Sequence, residues 1–219
     1  MSTVGPAGVG LQDVRRLLVL GAHPDDIEIG CGGTVLQLLA ARPALEVRWE
    51  VFSGAGDRRH EAEASAAAFL AGHARAAVVV HDFRDGFFPH QPDIKERFEA
   101  IRSAFEPDLI LTHQRDDRHQ DHRVLAELTW NTFRRHLVLE YEIPKYDGEL
   151  PPPNLFVPLT AAIVDRKVEL LMRHFASQTA RTWFTPDTFR GLARLRGIES
   201  AAPDGFAEGF LSRKATLAL

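Results

Sequence analysis

The chain has 219 residues, 45% of them hydrophobic and 26% charged, and its 30 Asp and Glu outweigh 26 Lys and Arg to leave a formal charge of −4. That length suits one well-buried α/β domain, no segment approaches the roughly 20 consecutive apolar residues of a membrane helix, and the acidic balance offers nucleic acid no concentrated basic surface. A single cysteine, Cys31, permits neither an intramolecular disulfide nor a thiolate ligand set, so any metal has to be held by His and carboxylate.

Residues 1–10 are small and Gly-rich and lack the basic start and apolar run of a secretory signal, so residues 1–12 are expected to form a disordered lead and the protein to stay in the cytoplasm. Residues 13–219 then read as a single domain. Arg15 to Ala22 (RRLLVLGA) is a short apolar run that fits a buried parallel strand, and it is followed by His23-Pro24-Asp25-Asp26. Gly32, Gly33 and Thr34 open a helical pattern through Val35, Leu36, Leu38 and Leu39, beside which Cys31 is expected as a small packing residue. Glu46 to Phe52 gives a second strand, His60 to Leu70 an Ala-rich helix, and Ala76 to Val80 a third strand. In Gln91 to Phe105 the residues Ile94, Phe98, Ile101 and Phe105 fall on one helical face, and Asp108 to Leu111 makes a fourth strand. The alternation β-α-β-α-β-α-β predicts an α/β fold, a three-layer Rossmann-like domain with a mainly parallel sheet.

Beyond Glu140 the composition changes. Pro144, Pro151, Pro152, Pro153 and Pro158 share a segment with Tyr141, Tyr146 and Phe156, which suggests extended loops or short strands over the rim and aromatics that line a pocket. Residues 140–219 are therefore expected as a C-terminal rim appendage of the same domain, with one more helix through Ala161, Val164, Val168, Leu171, Met172 and Phe175. Trp130, Phe133 and Phe175 fall at helical spacing and read as core.

Open parallel sheets place ligands at the carboxyl ends of their strands, and the polar clusters fall there. His23 to Asp26 follow the first strand, Ser53 to Arg59 the second, Asp82 and Asp85 the third, and His113 to His122 the fourth. Two of these clusters have metal-ligand chemistry. In His23-Pro24-Asp25-Asp26 the proline fixes its own φ and drives His23 to extended backbone, which stiffens the loop. In His119-Gln120-Asp121-His122, read as leading into a helix through Val124, Leu125, Leu128 and Phe133, the two histidines are three apart and share a face if the turn is helical. Two His and one Asp satisfy a catalytic zinc site with an open position, one of the adjacent aspartates can bind metal while the other faces the attacking water, and Asp25 is the natural proton shuttle. As an imidazolium His119 could stabilise an oxyanion, with Asp121 holding it charged and oriented. Taken singly, each patch could equally be a turn or a helix cap, but their placement on one rim favours the metal site.

The run AHPDD followed by IEIGCGGT, with the HxDH at residues 119–122, resembles the PIG-L/LmbE-like deacetylase family. RRHEAEASAAAFL from Arg58 to Leu70, Asp85-Gly86, Lys167, Ser177-Gln178, Arg196-Gly197 and Ala207-Glu208 are similar to weaker family features, so the likeness covers most of the chain. It implies a metal-dependent amide hydrolase that removes N-acetyl groups from glucosamine-containing small molecules, including glycolipid and thiol-cofactor precursors, with one divalent ion, usually zinc, iron(II) and other divalent metals being the alternatives. Carried over by motif, His23, Asp26 and His122 would be the metal ligands, Asp25 the general base and acid, and His119 the oxyanion stabiliser assisted by Asp121. The partner implied is a small acetamido sugar; no nucleic acid or membrane span is expected, and a homo-oligomer is left open.

Arg58 or Arg59 can contact sugar hydroxyls or phosphate, with the resemblance favouring Arg58, and Asp85 can accept from sugar hydroxyls although Asp-Gly is also an ordinary turn signal. Gly30, Gly32 and Gly33 lack GxGxxG spacing, and the preceding aspartates would repel a pyrophosphate. His60, His73, His81, His90, His136 and His174 stand outside any ligand spacing, whereas His113 ends the fourth strand and can lie behind a ligand. Two other functions compete with deacetylation: a different metal-dependent hydrolysis such as phosphoester cleavage, which calls for a second metal and more carboxylates, and a non-catalytic sugar-binding module, whose signature would be loss of Asp25.

Overall fold

The computed structural model describes Leu11 and residues 13–216, so the lead expected over residues 1–12 lies, Leu11 apart, outside the described residues. Its centre is a seven-stranded sheet in the order β3-β2-β1-β4-β5-β7-β6, with β1 Arg16–Gly21, β2 Glu46–Val51, β3 Ala76–Val80, β4 Leu109–His113, β5 Leu137–Tyr141, β6 Leu155–Leu159 and β7 Phe206–Ser212. β1 to β5 run parallel, and β7 is antiparallel to both β5 and β6. The continuous apolar run of β1 follows from burial on both sides: Leu17 and Val19 point into one layer, Leu18 and Leu20 into the other. The first layer holds α1 (Asp26–Ala41), α2 (Asp57–Phe69), α5 (Ala161–His174) and α6 (Pro186–Glu199); the second holds α3 (Asp93–Ala104) and α4 (Gln120–Thr132). Ile94, Phe98, Ile101 and Phe105 are all buried in the second layer, as their spacing predicts.

Two differences from the sequence reading stand out: β5, which no expected strand covers, and the place where α1 begins. The helix starts at Asp26, directly after the His-Pro-Asp loop, and carries Gly30, Gly32 and Gly33 in its interior. Each interior glycine costs a helix about 1 kcal/mol relative to alanine, which is why the periodic pattern in the sequence starts later than the helix itself. Here the glycines admit close neighbours: a Cβ on Gly30 would lie 2.1 Å from the Tyr141 ring, one on Gly32 2.7 Å from Phe69, and one on Gly33 2.6 Å from Leu159. A buried ion pair also enters the helix. Glu208 of β7 accepts from the Gly33 and Thr34 N–H groups at 2.8 and 2.7 Å, while Lys167 of α5 donates to the Ile29 carbonyl and to Glu208, both at 2.7 Å.

The segment after Glu140 thus supplies β6, β7, α5 and α6, and its Pro-rich stretch, residues 143–153, is a loop. After β3 the chain crosses to the other side of β1 to form β4, so the strand order reverses between these two neighbours. In an open parallel sheet that reversal leaves a crevice at the carboxyl ends of the strands it separates. Residues 22–25 leave β1 and residues 114–119 leave β4 at this crevice.

Candidate metal and active site

Beyond β1 the chain turns at once into α1, and the Asp26 carboxylate closes the turn by accepting the His23 N–H at 2.6 Å on Oδ2. Beyond β4 the loop ends at His119, the N-cap of α4, which puts His122 on the first turn of that helix. These two short helix starts face each other. His23 Nδ1 lies 3.1 Å from His122 Nε2 and 3.2 Å from Asp26 Oδ2, and the latter two are 3.5 Å apart. Three N and O donors at 2.0–2.2 Å from one tetrahedral ion lie about 3.3–3.6 Å from each other. One edge lies in that range and the other two fall short of it by about 0.2 Å or less, so a small adjustment lets the donor set close on a single small divalent ion.

The far side of each imidazole gives a second test of that fit, because a ligating histidine ordinarily turns its other nitrogen to a carboxylate or carbonyl. His23 Nε2 faces Asp85 Oδ1 at 3.1 Å and Asp121 Oδ2 at 3.4 Å, and His122 Nδ1 faces Asp117 Oδ2 at 3.0 Å. His113, at the end of β4, lies behind Asp26 with Nε2 3.2 Å from Oδ2, and that nitrogen also accepts the Ala22 N–H at 3.1 Å. Its ring stacks on His122 at 3.9 Å between centroids. Burial, followed by the neighbouring His113, lowers the His122 pKa to about 3, so the imidazole is neutral at neutral pH, the form in which it can bind a metal.

Asp25 is buried beside this cluster and its Oδ1 accepts from Arg58 Nη2 at 2.9 Å. Burial raises its pKa and the Arg58 charge offsets part of the rise. Arg58, from the first turn of α2, also donates to Ser177 Oγ at 3.2 Å, so the residue expected to bind substrate is joined to the candidate base. Asp85, the other expected substrate contact, is paired through Oδ1 with His23 while its side chain is 73% exposed.

The His119 ring centroid lies 4.7 Å from that of His23 and 4.7 Å from that of His122. The imidazolium expected at this position is not favoured: burial, then the neighbouring His23, lowers its pKa, and its Nδ1 accepts the Asp121 backbone N–H at 3.3 Å. The proton of the neutral ring then sits on Nε2. The Asp121 carboxylate is engaged elsewhere, accepting from the Gly86 N–H at 2.6 Å and the Phe88 N–H at 3.1 Å and facing His23. Tyr141, expected to line the pocket, is fully buried behind the site, with its hydroxyl donating to the Leu20 carbonyl at 2.6 Å. Tyr146 is the exposed aromatic of the rim loop, its hydroxyl 3.3 Å from Thr182 Oγ1.

Asp117, Lys145 and Glu28 join this neighbourhood without having been singled out in the sequence. Asp117 stands five residues before His122 in a loop where Asp116-Asp117 reads as an ordinary turn. Lys145 carries no local signal within the Pro-rich segment. Glu28 follows Asp26 by two residues, but nothing in the sequence shows its complete burial.

A family model described as PIG-L, GlcNAc-PI de-N-acetylase, matches residues 18–133, a span that contains both histidine motifs. Among solved structures, the chain is similar to the conserved protein TT1542 from Thermus thermophilus, with a TM-score of 0.75 at 20% identity over 94% of this chain and 97% of that one. It is similar to the N,N'-diacetylchitobiose deacetylase from Pyrococcus horikoshii, with a TM-score of 0.71 at 19% identity over 92% and 84% of the two chains. GalB, the 4-carboxy-2-hydroxymuconate hydratase from Pseudomonas putida, gives a TM-score of 0.73 at 19% identity over 94% and 98%. At such identities these likenesses show the shared fold alone, and a fold that carries both a deacetylase and a hydratase does not by itself name the reaction.

Proposed function

The chain belongs to the PIG-L, GlcNAc-PI de-N-acetylase, family and is an N-deacetylase by that membership; from that premise we propose that it removes the acetyl group from an N-acetylglucosamine-type sugar or small conjugate, in the cytoplasm, with a zinc-like divalent ion held by His23, Asp26 and His122. The observation that carries this reading is the triangle of His23 Nδ1, His122 Nε2 and Asp26 Oδ2, with edges of 3.1, 3.2 and 3.5 Å, beside a buried carboxylate that is not part of it. No helix among the described residues is long and apolar enough to cross a membrane, which is compatible with a small-molecule substrate taken from water.

A divalent ion bound at this triangle would polarise the acetamido carbonyl and make a water a better nucleophile at neutral pH. The remaining work falls to the chain's own groups. Asp25 takes the proton from the attacking water and hands it to the departing amine, and a carboxyl whose pKa is raised by burial but restrained by Arg58 suits both halves of that transfer. His119, neutral with its proton on Nε2, donates to the oxygen on which charge develops. Asp85 and Asp121 hold His23 from behind, and the exposed edge of Asp85 together with the remaining donors of Arg58 would meet sugar hydroxyls at the rim.

The test is a pair of variants read by metal content and by acetate release across a panel of N-acetylglucosamine derivatives. Asp25→Ala is expected to keep its metal and lose about 10²–10⁴-fold in turnover, and His122→Ala to lose both. Near-normal acetate release by Asp25→Ala would remove the assigned base, and a metal-loaded protein that deacetylates nothing on the panel would remove the proposed substrate class.

A further inference from the structure

One carboxylate beneath the site has three partners drawn from two parts of the chain. Asp117 is buried, and its Oδ2 lies 3.0 Å from His122 Nδ1 while its Oδ1 accepts the His119 N–H at 2.7 Å. The third partner comes from the rim loop: Lys145 Nζ sits 2.9 Å from Oδ1 and 3.0 Å from Oδ2. Lys145 also pairs with Glu149, and Glu149 accepts the Arg118 N–H, so the loop is fastened to two consecutive residues of the segment that leads into α4. The Lys145 side chain is only 11% exposed. With its ammonium held between two carboxylates, it is not free to act on a substrate.

We propose that Lys145 is a positioning residue for the metal site: from the rim loop it fixes the Asp117 carboxylate, which aims His122 and holds the first turn of α4. This rests on the metal reading given above and deepens it, because orientation of a ligand by the groups behind it is worth about 10–100-fold in metal affinity. Within the β4–α4 segment Asp117 is held by the His119 N–H and by His122, and the Lys145 ammonium, which touches both oxygens, anchors the carboxylate from outside that segment. Folding of the rim loop and alignment of a metal ligand would then depend on the same ion pair.

The rival account is that Lys145 merely fastens the loop, and metal binding separates the two. Metal-stripped protein is titrated with Co2+, reading the dissociation constant and the visible absorption band of the bound ion, while the thermal midpoint is followed separately. Lys145→Met, which keeps most of the stem and removes the charge, is expected to weaken Co2+ binding about 10–100-fold and to alter the band. Lys145→Arg should recover most of the affinity. Where Lys145→Met does not fold, Lys145→Gln serves with the same expected direction. Glu149→Gln removes the second negative charge beside Lys145 but leaves the Lys145–Asp117 pair, and is expected to bind Co2+ as the unaltered protein does.

Unchanged affinity and band in the Lys145 variants, with or without a lower midpoint, would overturn the proposal, as would a loss in Glu149→Gln equal to that in Lys145→Met. Failure of the unaltered protein to take up Co2+ would defeat the metal reading and the clamp together; normal uptake by the unaltered and Lys145→Met proteins alike would defeat the clamp alone.

Discussion

Glu28 lies on the first turn of α1, fully buried, with Oε1 accepting the Ser65 hydroxyl at 2.6 Å and Oε2 without a partner among the described residues. An ionised carboxylate there would leave a charged oxygen unpaired in an apolar setting, whereas the acid leaves a neutral one. Burial accordingly raises its pKa from 4.5 to about 8, against the Ser65 hydrogen bond and with the Asp25 and Asp26 charges adding to the rise. Between those two values the folded protein keeps a proton that the unfolded chain gives up, so stability is intact below the unfolded pKa and falls as pH rises toward the folded one, by about 1.4 kcal/mol per pH unit. From about pH 5.5 to 7.5 the loss is roughly 3 kcal/mol. Glu28→Gln abolishes the titration. Its unpaired amide introduces a penalty of about 1–3 kcal/mol that does not depend on pH and cancels from the comparison of slopes. Urea unfolding of metal-stripped protein, wild type against Glu28→Gln, should therefore show the stability difference moving toward the variant by roughly 3 kcal/mol across that range. A difference that stays flat with pH would mean that Glu28 is ionised in the folded protein, and the reasoning from its burial would fail.

Gly30→Ala is expected to destabilise by about 1–3 kcal/mol net, since its Cβ would meet the buried Tyr141 ring at 2.1 Å and displace the hydroxyl from Leu20. The thermal midpoint should fall by about 2–4 °C per kcal/mol. Gly191→Ala on α6, where a Cβ meets nothing within 4 Å, should instead raise it slightly; the opposite order would contradict the packing argument. Arg58→Met removes the charge that restrains the Asp25 pKa, so the base stays protonated to higher pH and the acid limb of the kcat/KM profile should move upward. An unmoved limb would separate Arg58 from the base.

Four of the five parallel strands were legible, most clearly β1 and β4, where burial on both faces selects short, uniformly apolar runs such as Leu17 to Leu20 and Leu109 to Leu111; β5, Leu137–Tyr141, was not read as a strand. The helix beginning at Asp26 was not legible, because the glycines that lower its intrinsic propensity are chosen by contacts with residues 37, 111, 126 and 175 positions away: Phe69, Tyr141, Leu159 and Glu208. No window along the chain contains that information. For the same reason β7, whose Glu208 enters α1 and whose strand lies between β5 and β6, had no local pattern to announce it. Distant packing, and not local preference, places the Asp26 end of α1 against the sheet.

In the candidate site the residue types and the two motifs were legible, but the pairing of acids with histidines was not. Asp121 adjoins His122 in sequence, yet its carboxylate faces His23, and the carboxylate behind His122 is Asp117. Helix geometry explains this: successive residues on α4 point about 100° apart, so an acid beside a histidine in the chain is badly placed to orient it, while a residue in the loop before the helix can curl back beneath the first turn. Asp117 does so, and in the same position caps His119 through its N–H. The carboxylate that sequence proximity would assign to one histidine thereby serves the other, and each of the two imidazoles in the triangle is oriented from outside its own helix turn or loop. A change at Asp121 should for that reason be felt first at His23 and the segment around Gly86, whose N–H it also holds.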